Sequence, residues 1–107
     1  MADVVLTALA HIHLQRIHAR FEDYSPGLGD RFSDEVDAAL ELIKANPRLF
    51  PADEDGARRI PVWNSKYGVF WVSETRGVVV VAVLYLGDDP RIIRRTIREA
   101  LNIENPL

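Results

Sequence analysis

A chain of 107 residues, 48% hydrophobic and 27% charged, is long enough for one domain around one core. Its formal net charge of −3 excludes a chain-wide cationic surface for nucleic acid, and its lack of cysteine excludes disulfides and thiolate-held zinc. No apolar run reaches membrane-spanning length and no basic segment leads into an apolar one at the start, so the expectation is a cytoplasmic protein.

Asp-Val-Val-Leu-Thr at residues 3–7 reads as a short strand, with the first turn of the following helix as the alternative; Thr7 is a plausible N-cap. Ala10, Leu14, Ile17, Phe21 and Tyr24 then recur at spacings of 4, 3, 4 and 3, which predicts an amphipathic helix over residues 8–23. Ser25-Pro26-Gly27 interrupts the pattern, and Ser25 and Pro26 suit the cap and first position of a second helix over residues 26–45. Leu28, Phe32, Val36, Leu40 and Ile43 form its apolar face, and Asn46-Pro47 ends it. So short a link predicts an antiparallel helical hairpin. Residues 48–57 form a loop in which Leu49 and Phe50 are expected to reach the core and Asp53, Glu54 and Asp55 to face water.

Three runs rich in β-branched and aromatic residues follow at 58–63, 67–72 and 78–86, separated by turns at 64–66 and 74–77. They predict a three-strand antiparallel meander. Pro61 cannot donate a ladder bond, which places the first of these strands at an edge or a bulge. The third run is apolar on both faces. It therefore needs cover on both: the helical hairpin on one, and the C-terminal helix, a second subunit or a partner peptide on the other. Asp89-Pro90 opens a short last helix with an apolar stripe at Ile93, Ile97, Ala100 and Leu101 and arginines at 91, 94, 95 and 98. The fold class is α/β (α+β): a short N-terminal strand, a two-helix hairpin on a small antiparallel sheet, and a C-terminal helix, all within one domain spanning residues 1–107.

Chemistry is sparse. His11 and His13 point about 200° apart on a helix, and His11 and His18 sit about 10 Å apart along it, so neither pair grips one ion and all three read as surface residues. No nucleophile motif and no phosphate loop is present, and Asp53, Glu54 and Asp55 read as a solvated turn, so neither a metal nor a cofactor is expected. If a nuclease were built here, Arg58 or Arg59, Lys66 and Tyr85 would have to supply its cations and proton transfer, with no histidine near them in sequence. Arg91, Arg94, Arg95 and Arg98 read either as a contact for an acidic protein or nucleic acid, or as a solvated face with pairs such as Arg95–Glu99. Arg59, Trp63 and Tyr67 are further candidate partner contacts, since large aromatics anchor interfaces; Trp71 reads as core.

The hairpin residues Pro26-Gly27-Leu28-Gly29-Asp30-Arg31-Phe32 and Ala38-Ala39-Leu40-Glu41-Leu42-Ile43 with Asn46-Pro47 resemble the ParE/RelE toxin superfamily of bacterial type II toxin–antitoxin systems. So do Arg58-Arg59-Ile60-Pro61-Val62, Lys66-Tyr67-Gly68-Val69-Phe70-Trp71-Val72, and the final strand running into Asp89-Pro90. The resemblance covers residues 4–91, and the ParE side, associated with plasmid stabilisation, fits best. It implies a two-helix hairpin on a small antiparallel sheet, a cognate antitoxin whose C-terminal segment wraps the toxin, and inhibition of DNA gyrase by protein binding. Its RelE side implies ribosome-dependent mRNA cleavage instead, and an attenuated, antitoxin-binding member is a third reading. A homodimer and a hetero-oligomer with the antitoxin both fit it. Where the family often carries H-x-R-R-D-P, this chain has Tyr85-Leu86-Gly87-Asp88-Asp89-Pro90. A carboxylate in place of a guanidinium repels RNA phosphate, so the expectation is protein binding, without sequence-specific recognition of nucleic acid.

Overall fold

The computed structural model describes residues 3–75 and 77–104. The elements run β1 (Asp3–Leu6), α1 (Ala8–Tyr24), α2 (Leu28–Ala45), β2 (Arg58–Val62), β3 (Tyr67–Glu74), β4 (Gly77–Tyr85) and α3 (Pro90–Glu104). Arg76, in the predicted 74–77 turn, lies outside the described residues.

Thr7 caps α1 as its chemistry suggests, its hydroxyl accepting the Ala10 N–H at 3.1 Å. Ala10 and Ile17 are buried, and Leu14 and Phe21 pack beside them; Tyr24, one step further along the stripe, is 84% exposed because the helix ends there. Ser25 is the C-cap of α1 and not the start of α2. The N-cap of α2 is Gly27 at φ 89°, and the carboxylate of Glu22 accepts the N–H groups of Gly27 at 2.7 Å and Asp30 at 3.3 Å. A side chain from the preceding helix thus satisfies orphan donors that a local Ser cap would otherwise have to meet. Phe32, Val36, Ala39 and Ile43 are the buried face of α2. Only Ser25–Gly27 separate α1 from α2, and the two helices pack on each other through Phe21 and Phe32, so the chain turns back on itself as a helical hairpin.

The sheet has the order β1-β4-β3-β2. β2, β3 and β4 form the expected antiparallel meander, but β1 joins β4 in parallel, with Asp3 opposite Gly77 and Leu6 opposite Val80, so the sheet is mixed. β4 is therefore internal, as its doubly apolar sequence requires. Its pairing with β3 shifts where Phe70 faces Ala82 but Trp71 faces Val80. Val81 is the extra residue of a β-bulge, and Val81 and Ala82 both turn to the same face. The two faces carry separate cores. On one, Val69, Trp71, Val78, Val80 and Val83 pack under α1 and α2. On the other, Phe70, Val81 and Ala82 pack under Ile97 and Ala100 of α3, so the C-terminal helix, longer than expected, is the second cover.

The 46–57 loop is tied down by Phe50, whose ring stands 6.4 Å from that of Trp71, and by the Trp71 indole N–H, which donates to the Pro47 carbonyl at 2.9 Å. Leu49 stays exposed. Asp53 closes the acidic turn by accepting from the N–H groups of Asp55 and Ala57. In the β2–β3 turn Trp63, Asn64 and Ser65 all have positive φ, at 54°, 58° and 64°. That conformation is costly for a bulky residue, and Trp63 is held in it by the rings of Phe21 at 5.2 Å and Phe32 at 5.7 Å. Among the described residues every buried side-chain polar atom has a partner, and no helix is long and apolar enough to cross a membrane.

Candidate functional site

Three surfaces gather the polar groups that the sequence singles out. The first is a groove of about 740 Å³ along β2, lined by Phe50, Pro51, Arg59, Pro61, Phe70 and Leu86 among others. β2 is an edge strand of the sheet, at the opposite side from β1. Pro61 offers no donor there, while Arg59 is exposed on the face that α3 covers further along. Arg58, one residue earlier, points to the other face and donates to the Phe50 carbonyl, so it pins the loop. Trp63 and Tyr67 do not line this groove. They lie in an aromatic cluster with Phe21 and Phe32, and Tyr67 is only 8% exposed.

The second surface is the outer face of α3. Asp89 caps that helix by accepting the Arg91 N–H at 2.9 Å and also binds the Arg91 guanidinium at 2.8 Å. These bonds hold the Asp89 carboxyl below, and Arg91 above, its ordinary pKa. Arg94 and Arg98 both reach Glu54, at 3.4 and 3.3 Å, and Arg98 also reaches Asp55 at 3.1 Å. Two of the acidic residues that read as a merely solvated turn thus neutralise part of the basic face. Arg95 has no ion pair among the described residues.

The third surface was not foreseen as one. The last residues of β4 and the middle of α1 enclose a cleft of about 340 Å³ lined by His13, Arg16, Ile17, Arg20, Tyr67, Val83, Leu84, Tyr85 and Asp88. It exists because β1 ends opposite Val80 while β4 runs on to Tyr85. Beyond that point α1 meets the bare strand edge: the Thr7 hydroxyl donates to the Val81 carbonyl, and His13 Nδ1 accepts the Val83 N–H at 3.1 Å. Burial, reinforced by the Arg16 charge, pushes the His13 pKa down. Reading histidines only for metal spacing within the helix concealed this role. The available signal was the i, i+3, i+4, i+7 spacing of His13, Arg16, Ile17 and Arg20, which puts three polar groups around a core anchor.

The four nuclease candidates are not brought together. Arg59 pairs with Phe70 on the α3-facing side, whereas Tyr85 pairs with Tyr67 on the α1-facing side. Arg58 sits at the Trp71 end of β3, and Lys66 is exposed in the turn beside Glu35. Elsewhere His18, Glu22 and Asp30 place one ligand atom each within 4.8 Å of one another. The Glu22 oxygens there already cap α2 and His18 Nε2 already meets Asp30 at 2.9 Å, so the cluster works as a clasp between the helices.

No family model matches the sequence, and no curated protein sequence matches it. Among solved structures, the chain is similar to one in the chromosomal ParDE toxin–antitoxin system from P. aeruginosa. The TM-score is 0.69 at 10% sequence identity, over 79% of this chain and 96% of that one. The likeness shows a shared fold: a helical hairpin on a small sheet.

Proposed function

We propose that the protein is the toxin component of a type II toxin–antitoxin system, ParE-like, which acts by binding DNA gyrase and is neutralised by a cognate antitoxin. The observation that carries this reading is the groove beside the open β2 edge, on a fold similar to a chain of a ParDE system. An extended antitoxin segment lays apolar side chains against Phe50, Phe70 and Leu86, and a carboxylate of that segment meets Arg59. Such a segment is disordered when free and offsets its ordering entropy with buried apolar area. Action by binding is supported by the scatter of Arg58, Arg59, Lys66 and Tyr85 over two faces of the sheet, which assembles no acid–base pair around one phosphate.

Expression of the chain alone in a bacterial host, with gyrase supercoiling assayed on the purified protein, tests this. The expected result is growth arrest with inhibited supercoiling, relieved by the product of a neighbouring short reading frame. Growth arrest with normal supercoiling and no gyrase binding overturns it, and cuts at ribosomal A-site codons in translated message would replace it with the RelE-like reading.

A further inference from the structure

The α1–β4 cleft has a chemistry that the β2 groove lacks. Arg16 and Arg20 both line it, and among the described residues neither guanidinium forms an ion pair. Two unneutralised cations one helical turn apart are a notable concentration on a chain of net charge −3. His13 adds a third donor. Because its Nδ1 accepts the Val83 N–H, its ring proton must sit on Nε2, leaving that N–H as the ring's remaining polar group. Tyr85 adds a hydroxyl and a ring that is 45% exposed, standing edge-on to Tyr67 at 5.5 Å between centroids.

Gly87 is what lets Tyr85 lie there. A Cβ at Gly87 would come within 2.4 Å of Tyr85 Cε2 and 2.6 Å of its hydroxyl oxygen. Tyr85 therefore folds back over bare backbone at the mouth of the cleft. The glycine that stands where the family often has an arginine has its own local reason.

We propose that this cleft binds a nucleoside 5′-monophosphate, with the phosphate held by Arg16, Arg20 and His13 Nε2–H and the base resting on the Tyr85 ring. Guanidinium groups and a neutral imidazole N–H are all donors, which suits an acceptor-only phosphate. The volume is at the small end of ligand sites, enough for one nucleotide. Asp88 also lines the cleft. Its carboxylate accepts from ribose hydroxyls and repels a second phosphate, which favours a monophosphate over a polynucleotide. His13 has no free lone pair while Nδ1 is engaged, so the site binds without acting as a base. The inference does not rest on the toxin reading.

Titration of the full-length, isotope-labelled chain with AMP and with inorganic phosphate, at low ionic strength, tests it. AMP is expected to shift the amides of residues 13–20 and 83–88, and phosphate to shift the α1 set alone, more weakly. Arg16→Ala and Arg20→Ala each weaken AMP binding by about tenfold or more, as for a charged hydrogen bond, while Arg94→Ala leaves it unchanged. Gly87→Ala displaces the Tyr85 ring without touching the core, so it weakens AMP and spares phosphate. The proposal is overturned if neither probe gives localised shifts. It is equally overturned if the shifts survive loss of both arginines or fall as much with Arg94→Ala. Phosphate binding as tightly as AMP, with Gly87→Ala silent, overturns the nucleotide assignment.

Discussion

Helices α1 and α3 each carry arginines at helical spacing, and in the sequence the α3 set is the more prominent. The folded chain reverses that order. Arg91, Arg94 and Arg98 of α3 are met by Asp89, Glu54 and Asp55, whereas Arg16 and Arg20 of α1 line a cleft without an ion pair among the described residues. For Arg94 and Arg98 the difference is the 46–57 loop, whose acidic turn is closed by Asp53 and lies against α3, whereas Arg91 is met by the helix's own N-cap and Arg95 has no ion pair among the described residues. Available charge is thus a property of the loop's path more than of the arginine count.

The deepest way to break this contrast is to loosen α3. Ile97 is 2% exposed and anchors that helix to Phe70 and Val81. Ile97→Ala should cost about 2–5 kcal/mol in urea unfolding. Amide exchange should rise along α3 while the amides of His13 and Val83 keep their shifts. If those shifts move too, the two surfaces are coupled and the contrast fails.

A smaller effect is expected at the other surface. His13→Ala leaves the part-buried Val83 N–H without its acceptor, a loss of about 1–3 kcal/mol, whereas His13→Asn keeps an oxygen near the Nδ1 position and should recover much of it. The same site predicts a pH dependence. The unfolded His13 takes up a proton near its ordinary pKa of 6.5, whereas the folded ring resists because its pKa is lowered. The unfolded chain therefore binds more protons in that window. Stability is full above 6.5, falls as pH drops below it, and levels only beneath the lowered folded value. Denaturant midpoints of wild type and His13→Asn compared across that range should diverge; parallel curves would remove His13 as the cause.

The smallest effect is at the α3 network. Glu54→Gln releases Arg94 and Arg98 from their shared partner, yet both ends are largely exposed, so stability should change by less than about 1 kcal/mol and salt should erase the difference. The variant should nonetheless bind a cation exchanger more tightly than wild type, making α3 resemble α1. No change in retention would mean that the carboxylates do not mask the face.

Much of this was legible before the fold. The apolar spacing of Ala10, Leu14, Ile17 and Phe21, and the β-branched runs of β3 and β4, are read from local geometry alone, and local geometry decides them. Three features were not legible because distant residues decide them. The parallel pairing of β1 depends on β4, whose residues lie over 70 positions away. The start of α2 is set by Glu22, a side chain of another helix that displaces the expected Ser25–Pro26 start. The role of His13 arises only once β4 outruns β1 and leaves Val83 to be satisfied. Of the predicted partner residues, Arg59 lines the groove, while Trp63 and Tyr67 lie in the aromatic cluster, which rests on contacts between three separate elements.

The parallel β1–β4 pairing also constrains how the chain comes into being. Asp3 waits for Gly77, and Thr7 waits for Val81, 74 residues later. A ribosome delivers the α1–α2 hairpin well before β4, so until β4 emerges the apolar faces of Ile17, Phe32 and Ile43 lack the sheet that covers them. Closing so long a loop is slow relative to forming a helix. A message truncated ahead of β4 therefore yields a hairpin without its sheet, and any activity seated on that sheet appears only once β4 has been made.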